Sequence, residues 1–91
     1  MIHKNKDKII IGLKKAQSLI GKIQEMVEQN QYCVDVMQQN LAAVGLLKSV
    51  HKQLMEDHIN SCFADGMKSN NQKQKNQLIE EMIQVSNLYN R

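Results

Sequence analysis

The 91-residue chain has room for one small domain, and 42% of it is hydrophobic, mostly Ile, Leu, Val and Met. Only 3% is aromatic, and Pro and Trp are absent, which speaks against a β-sandwich or barrel and for an all-α fold. The net charge of +3 names no partner, no apolar run approaches the ~20 residues of a membrane span, and Ile9 to Ile11 is too short for a signal-peptide core, so a cytoplasmic protein is expected.

An N-terminal arm over 1–8 leads into a first helix predicted over 9–29. Ile9, Leu13, Ala16, Ile20, Ile23 and Val27 recur at helical spacing, and Lys14, Lys15, Lys22 and Glu25 fall off that stripe. Asn30-Gln31 supplies a weak break. Cys33, Met37, Leu41, Val44, Leu47, Leu54, His58 and Cys62 form a second series, which predicts one long helix over 32–64. Asp65-Gly66 closes it, with Gly66 expected in the left-handed conformation. Residues 69–77 hold nothing apolar and read as a polar linker, with room in it for the first turn of the next helix. Leu78, Met82, Val85 and Tyr89 then mark a short third helix over 78–90. A helical chain this short buries only about 60–65% of its unfolded surface, so pairing with a copy of itself is expected.

Charge is segregated. Residues 1–22 carry a net +5, residues 23–65 a net −4 and residues 66–91 a net +2. A basic first helix beside an acidic middle is the pattern of a polyanion-binding surface, and equally of a solvated lysine face. No Gly-rich phosphate loop and no nucleophile, base and orienting group stand at recognisable spacing, so an enzyme is not expected.

The chemistry-bearing residues lie on the second helix. His58 and Cys62 share one helix face at i, i+4 spacing, which suits a shared metal ion or a buried Cys beside a core His. Cys33 lies on the same stripe, 25 residues before His58. A helical rise of about 1.5 Å per residue separates the two by roughly 37 Å, too far to share an ion in one chain. A two-fold antiparallel pair of these helices removes the difficulty. It brings Cys33 of one copy to His58 and Cys62 of the other, with a crossing near residues 45–48 beside Ala42, Ala43 and Gly45. Two thiolates and one imidazole form a soft set that selects Cu(I), while Zn(II) would need a fourth ligand, for which His3 is a candidate.

These residues resemble the CsoR/RcnR/FrmR family of small bacterial repressors, and within it the copper-sensing branch. The resemblance rests on Glu25-Met26-Val27-Glu28-Gln29-Asn30-Gln31-Tyr32-Cys33-Val34-Asp35-Val36, on Gln39, Leu41, Ala42, Leu46 and Leu47, and on Glu56-Asp57-His58-Ile59-Asn60-Ser61-Cys62. The family's Cys, His, Cys pattern falls on Cys33, His58 and Cys62. The resemblance implies three helices, the long central one forming an antiparallel dimer, paired again into a dimer of dimers. It implies supporting groups beside the liganding His at Tyr32 and at Glu81, with Glu80 as the alternative for the latter. It also implies operator DNA bound without metal and released with metal, with Lys14, Lys15 and Lys22 on the contacting helix. Where the family commonly shows Arg and then Gly-Gln, this chain has Lys14 and Lys15 and then Ser18-Leu19. Lysine meets phosphate as a point charge without the planar fork of arginine. Other readings within the same fold are sensing of Ni(II) or Co(II) with His3, or of formaldehyde or persulfide through Cys33. A helical metal-binding oligomer that does not bind DNA is the reading from a different class.

Overall fold

The structure is a computed structural model and describes residues 4–89. The described residues are helical, with no strand among them, and none of their helices is long and apolar enough to cross a membrane. The chain divides into two compact units with the boundary between Leu54 and Met55.

In the first unit, α1 spans Lys6–Glu28. It starts earlier than the apolar stripe predicts, which shortens the arm expected over 1–8 and makes Lys6 and Lys8 helical. The first turn is held by the Ile9 N–H donating to the Asn5 carbonyl at 2.9 Å. Asp7 in that turn faces the positive end of the helix dipole. His3 lies outside the described residues.

The Asn30-Gln31 break is a fully formed helix stop. Asn30 adopts a φ of 57°. Its N–H donates to the Val27 carbonyl and the Gln31 N–H to the Met26 carbonyl, both at 3.0 Å, the paired bonds of a Schellman motif. Asparagine tolerates the left-handed conformation, so no Gly is needed.

α2 spans Cys33–His58 and begins with the Asp35 and Val36 N–H groups donating to the Tyr32 carbonyl at 3.0 and 3.2 Å. Within the unit α1 and α2 run antiparallel. Gly12 and Val50, nearly symmetric about the Asn30 turn, come so close that a Cβ on Gly12 would lie 2.7 Å from Val50 Cγ2. Ile9, Ala16, Met26, Ala43 and Val50 are buried. The inward row of α1 is therefore Ile9, Gly12, Ala16, Leu19, Ile23 and Met26, with Gly12, Leu19 and Ile23 half-buried. Leu13, Ile20 and Val27, expected to face inward, are exposed. Both rows satisfy the 3–4 spacing, and the close approach at Gly12 selects the row with the smaller side chains. Ala43 is used in packing within the chain. Ala42 and Gly45 are exposed.

In the second unit the helix predicted to end at 64 changes pitch instead. Ile59–Phe63 is a π-helical turn and Ala64–Met67 is α3. His58, Phe63 and Ala64 keep right-handed helical dihedrals, so the chain stays helical through both junctions. Gly66 lies inside α3 and has no positive φ, contrary to the left-handed cap expected of it. Its missing side chain serves packing: a Cβ there would fall on the Leu78 side chain.

α4 spans Gln72–Tyr89, beginning inside the stretch predicted as a linker over 69–77. The apolar pattern begins only at Leu78, but Asn71 caps the helix earlier. Its Oδ1 accepts from the Gln74 N–H at 3.2 Å, its carbonyl accepts from the Lys75 N–H, and its own N–H donates to Ser69 Oγ. Gln and Lys then extend the helix on propensity alone.

Candidate metal centre and basic helix

α2 carries two apolar rows. One holds Ala43 and Val50 and is buried. The other holds Met37, Leu41, Val44, Leu47 and Leu54, all exposed. Cys33 belongs to the second row, is exposed, and bears a free thiol at the first residue of the helix. Tyr32, just before it, is 67% exposed.

His58 ends α2, and Cys62 follows within the π-helical turn. Both are half-buried, and the Cys62 thiol is free. The two share one short helical stretch, as the i, i+4 spacing expects. Among the described residues no three His, Cys, Asp or Glu side chains gather to hold an ion within one chain. Cys33 and His58 are the first and last of the 26 residues of α2.

The surroundings of His58 hold groups that helical spacing does not reveal. The Phe63 ring lies against the imidazole, with centroids 6.5 Å apart and planes tilted by 51°. Asp57 is buried, and its carbonyl accepts a hydrogen bond from the Ser61 hydroxyl. His58 and Phe63 stand five positions apart, which in a regular α-helix are not neighbours. Periodicity therefore gives no sign of the contact. Glu80 and Glu81 are both exposed on α4 beside Gln77 and Gln84, and the fold of one chain does not single out either.

Lys14, Lys15 and Lys22 are exposed on α1. Because α1 begins at Lys6, Lys8 stands on the same helix, one heptad before Lys15 and two before Lys22. The basic N-terminal charge is thus carried on a rigid helix.

The described residues form a small helical fold with Cys33 and His58 at the two ends of α2, Cys62 just beyond it and lysines along α1. A family model described as metal-sensitive transcriptional repressor matches residues 5–87, and the chain belongs to that family. The family consists of repressors, and the chain is not an enzyme. The copper-sensing transcriptional repressor CsoR of Bacillus subtilis is 39% identical over 82 residues, covering 90% of this chain and 78% of that protein. The copper-sensing transcriptional repressor RicR of Mycobacterium tuberculosis is 32% identical over 57 residues, covering 63% of this chain and 59% of its own length. Among solved structures, the copper-sensing repressor CsoR with Cu(I) from Geobacillus thermodenitrificans superposes with a TM-score of 0.82 at 27% identity, covering 100% of this chain and 92% of that one.

Proposed function

We propose that this protein is a cytoplasmic Cu(I)-responsive transcriptional repressor that binds operator DNA when metal-free and releases it when Cu(I) is bound. The observation that carries the reading is the placement of Cys33. It lies on the exposed apolar row of α2, and among the described residues no two other donors gather with it within one chain. Whatever covers that row also meets Cys33. A second copy, packed antiparallel, covers the row with its own and completes the donor set with His58 and Cys62 of the partner subunit. Two such sites follow from the two-fold symmetry, and pairing of dimers gives the tetramer the family resemblance implies.

The donors fit the ion. Two sulfurs and one imidazole nitrogen are soft ligands, and soft ligands favour Cu(I) over the harder Ni(II), Co(II) or Zn(II). When bound, the ion supplies one strong crosslink between protomers. Tyr32, beside Cys33, and Glu81, exposed on α4, are the polar groups available to orient the imidazole through its other nitrogen. Lys14, Lys15 and Lys22 meet phosphate oxygens. Linkage then sets the response: an ion that favours the DNA-incompetent arrangement weakens DNA by the same factor by which DNA weakens the ion.

The test compares metal-free and Cu(I)-loaded protein for binding to its own promoter region at several salt concentrations. Metal-free protein binds, and the Cu(I) form does not. Lys15→Ala flattens the log–log salt slope by about 1 for each copy of Lys15 that meets a phosphate. Cys33→Ala weakens Cu(I) by more than the roughly 10–100-fold typical of outer-shell changes. X-ray absorption of loaded protein shows two sulfurs and one nitrogen. A nitrogen- and oxygen-rich shell would indicate a nickel or cobalt sensor instead. Tight Cu(I) binding with no DNA binding would indicate the metal-binding oligomer, the reading favoured by Lys14 and Lys15 in place of arginine.

A further inference from the structure

We infer that Phe63 is a positioning residue for the His58 imidazole, and that the π-helical turn Ile59–Phe63 exists to bring the two rings together. The inference rests on the reading of His58 and Cys62 as metal donors and adds a residue and a backbone device to it.

In an α-helix, positions five apart point about 140° away from each other. Phe63 could not then reach His58. A π-helical turn closes i to i+5 hydrogen bonds and takes roughly 4.4 residues per turn, which brings i and i+5 back onto one side. The Ala64 N–H donating to the Ile59 carbonyl is such a bond. The His58 and Phe63 centroids, 6.5 Å apart with a 51° tilt, lie within the range of a favourable tilted ring pair. The ring contact and the widened turn therefore stand or fall together.

Two further features hold the turn. The Ser61 hydroxyl donates to the Asp57 carbonyl four residues back, a bond that competes with regular backbone pairing and favours a bent or widened helix. Asp57 is 2% exposed, so the turn preceding the π segment is anchored in the interior. The widening also matters for the donors. It shortens the rise between His58 and Cys62 while keeping them on one side, which favours a common ion. An imidazole held by a ring on one face loses less rotational freedom on binding than one free to turn. Orienting partners of liganding histidines are typically worth about 10–100-fold in metal affinity.

The test uses full-length reduced protein with three variants. Phe63→Leu keeps an apolar side chain in the half-buried position but removes the ring, and Phe63→Tyr keeps the ring. His58→Ala reports whether His58 ligates at all. Circular dichroism and thermal melting confirm that each is folded. In metal-free protein, the His58 ring protons feel the Phe63 ring current. Their NMR shifts move in Phe63→Leu and return in Phe63→Tyr. Competition against a Cu(I) chelator gives about a 10-fold loss for Phe63→Leu and less than about threefold for Phe63→Tyr. Wild-type Cu(I) affinity in Phe63→Leu, with or without a moved His58 resonance, overturns the positioning role. Wild-type Cu(I) affinity in His58→Ala overturns the metal-site reading itself and the inference with it.

Discussion

On one side of α2, Ala43 and Val50 are 4% exposed; on another, Met37 and Leu41 remain 55% and 68% exposed. The two rows lie on the same helix and are built from similar residues. In the buried row, Gly12 lets the Val50 side chain approach the α1 backbone. The large side chains of the exposed row stay open among the described residues, and Leu13, Ile20 and Val27 of α1 are exposed as well. One face is finished by the hairpin. The other is an apolar surface too extensive to be left in water at no cost, and it carries Cys33. Close packing with small residues completes a fold, whereas large uncovered side chains in register with a thiol leave room for a second copy.

The sharpest way to break this contrast is a charge in the exposed row. Leu41→Asp removes about 2 kcal/mol of apolar burial per copy, and two-fold symmetry counts the loss twice. The dimer dissociation constant should rise on the order of 1000-fold in sedimentation equilibrium, with the hairpin still helical by circular dichroism. Unchanged assembly would mean that another face mediates pairing.

The finished face responds differently. Gly12→Val drives methyl groups into Val50 and should cost about 2 kcal/mol in urea unfolding at fixed protomer concentration. Adding Val50→Ala should recover part of that loss, with a coupling of about 1 kcal/mol. Absence of coupling would show that the two helices part at this point.

The smallest effect sharpens the comparison by touching neither face. Asn71→Ala removes the side-chain cap of α4 and should cost about 1 kcal/mol, while Asn71→Asp keeps it. Dimer affinity should stay at the wild-type value.

Much of this was legible in the residues. The stripe from Cys33 to Cys62 marked the long central helix, and the Cys, His, Cys spacing marked the family. The inward face of α1 was not legible, because the rows through Leu13 and through Gly12 obey the same periodicity and glycine gives no apolar signal. The start of α4 was hidden for a related reason. Its first turn is polar, and Asn71 works through one hydrogen bond rather than through a pattern.

By itself, then, the sequence determined the helical class, the places of Cys33 and His58 along the central helix and the membership of a repressor family, because these depend on composition and on spacing along the chain. Only the tertiary structure decided which of two equivalent apolar rows each helix turns inward, that Gly66 admits Leu78 rather than capping a helix, and that His58 meets Phe63 across a π-helical turn. Those outcomes depend on how closely two backbones approach and on how many residues one turn contains, and neither quantity is written in the spacing of residue types.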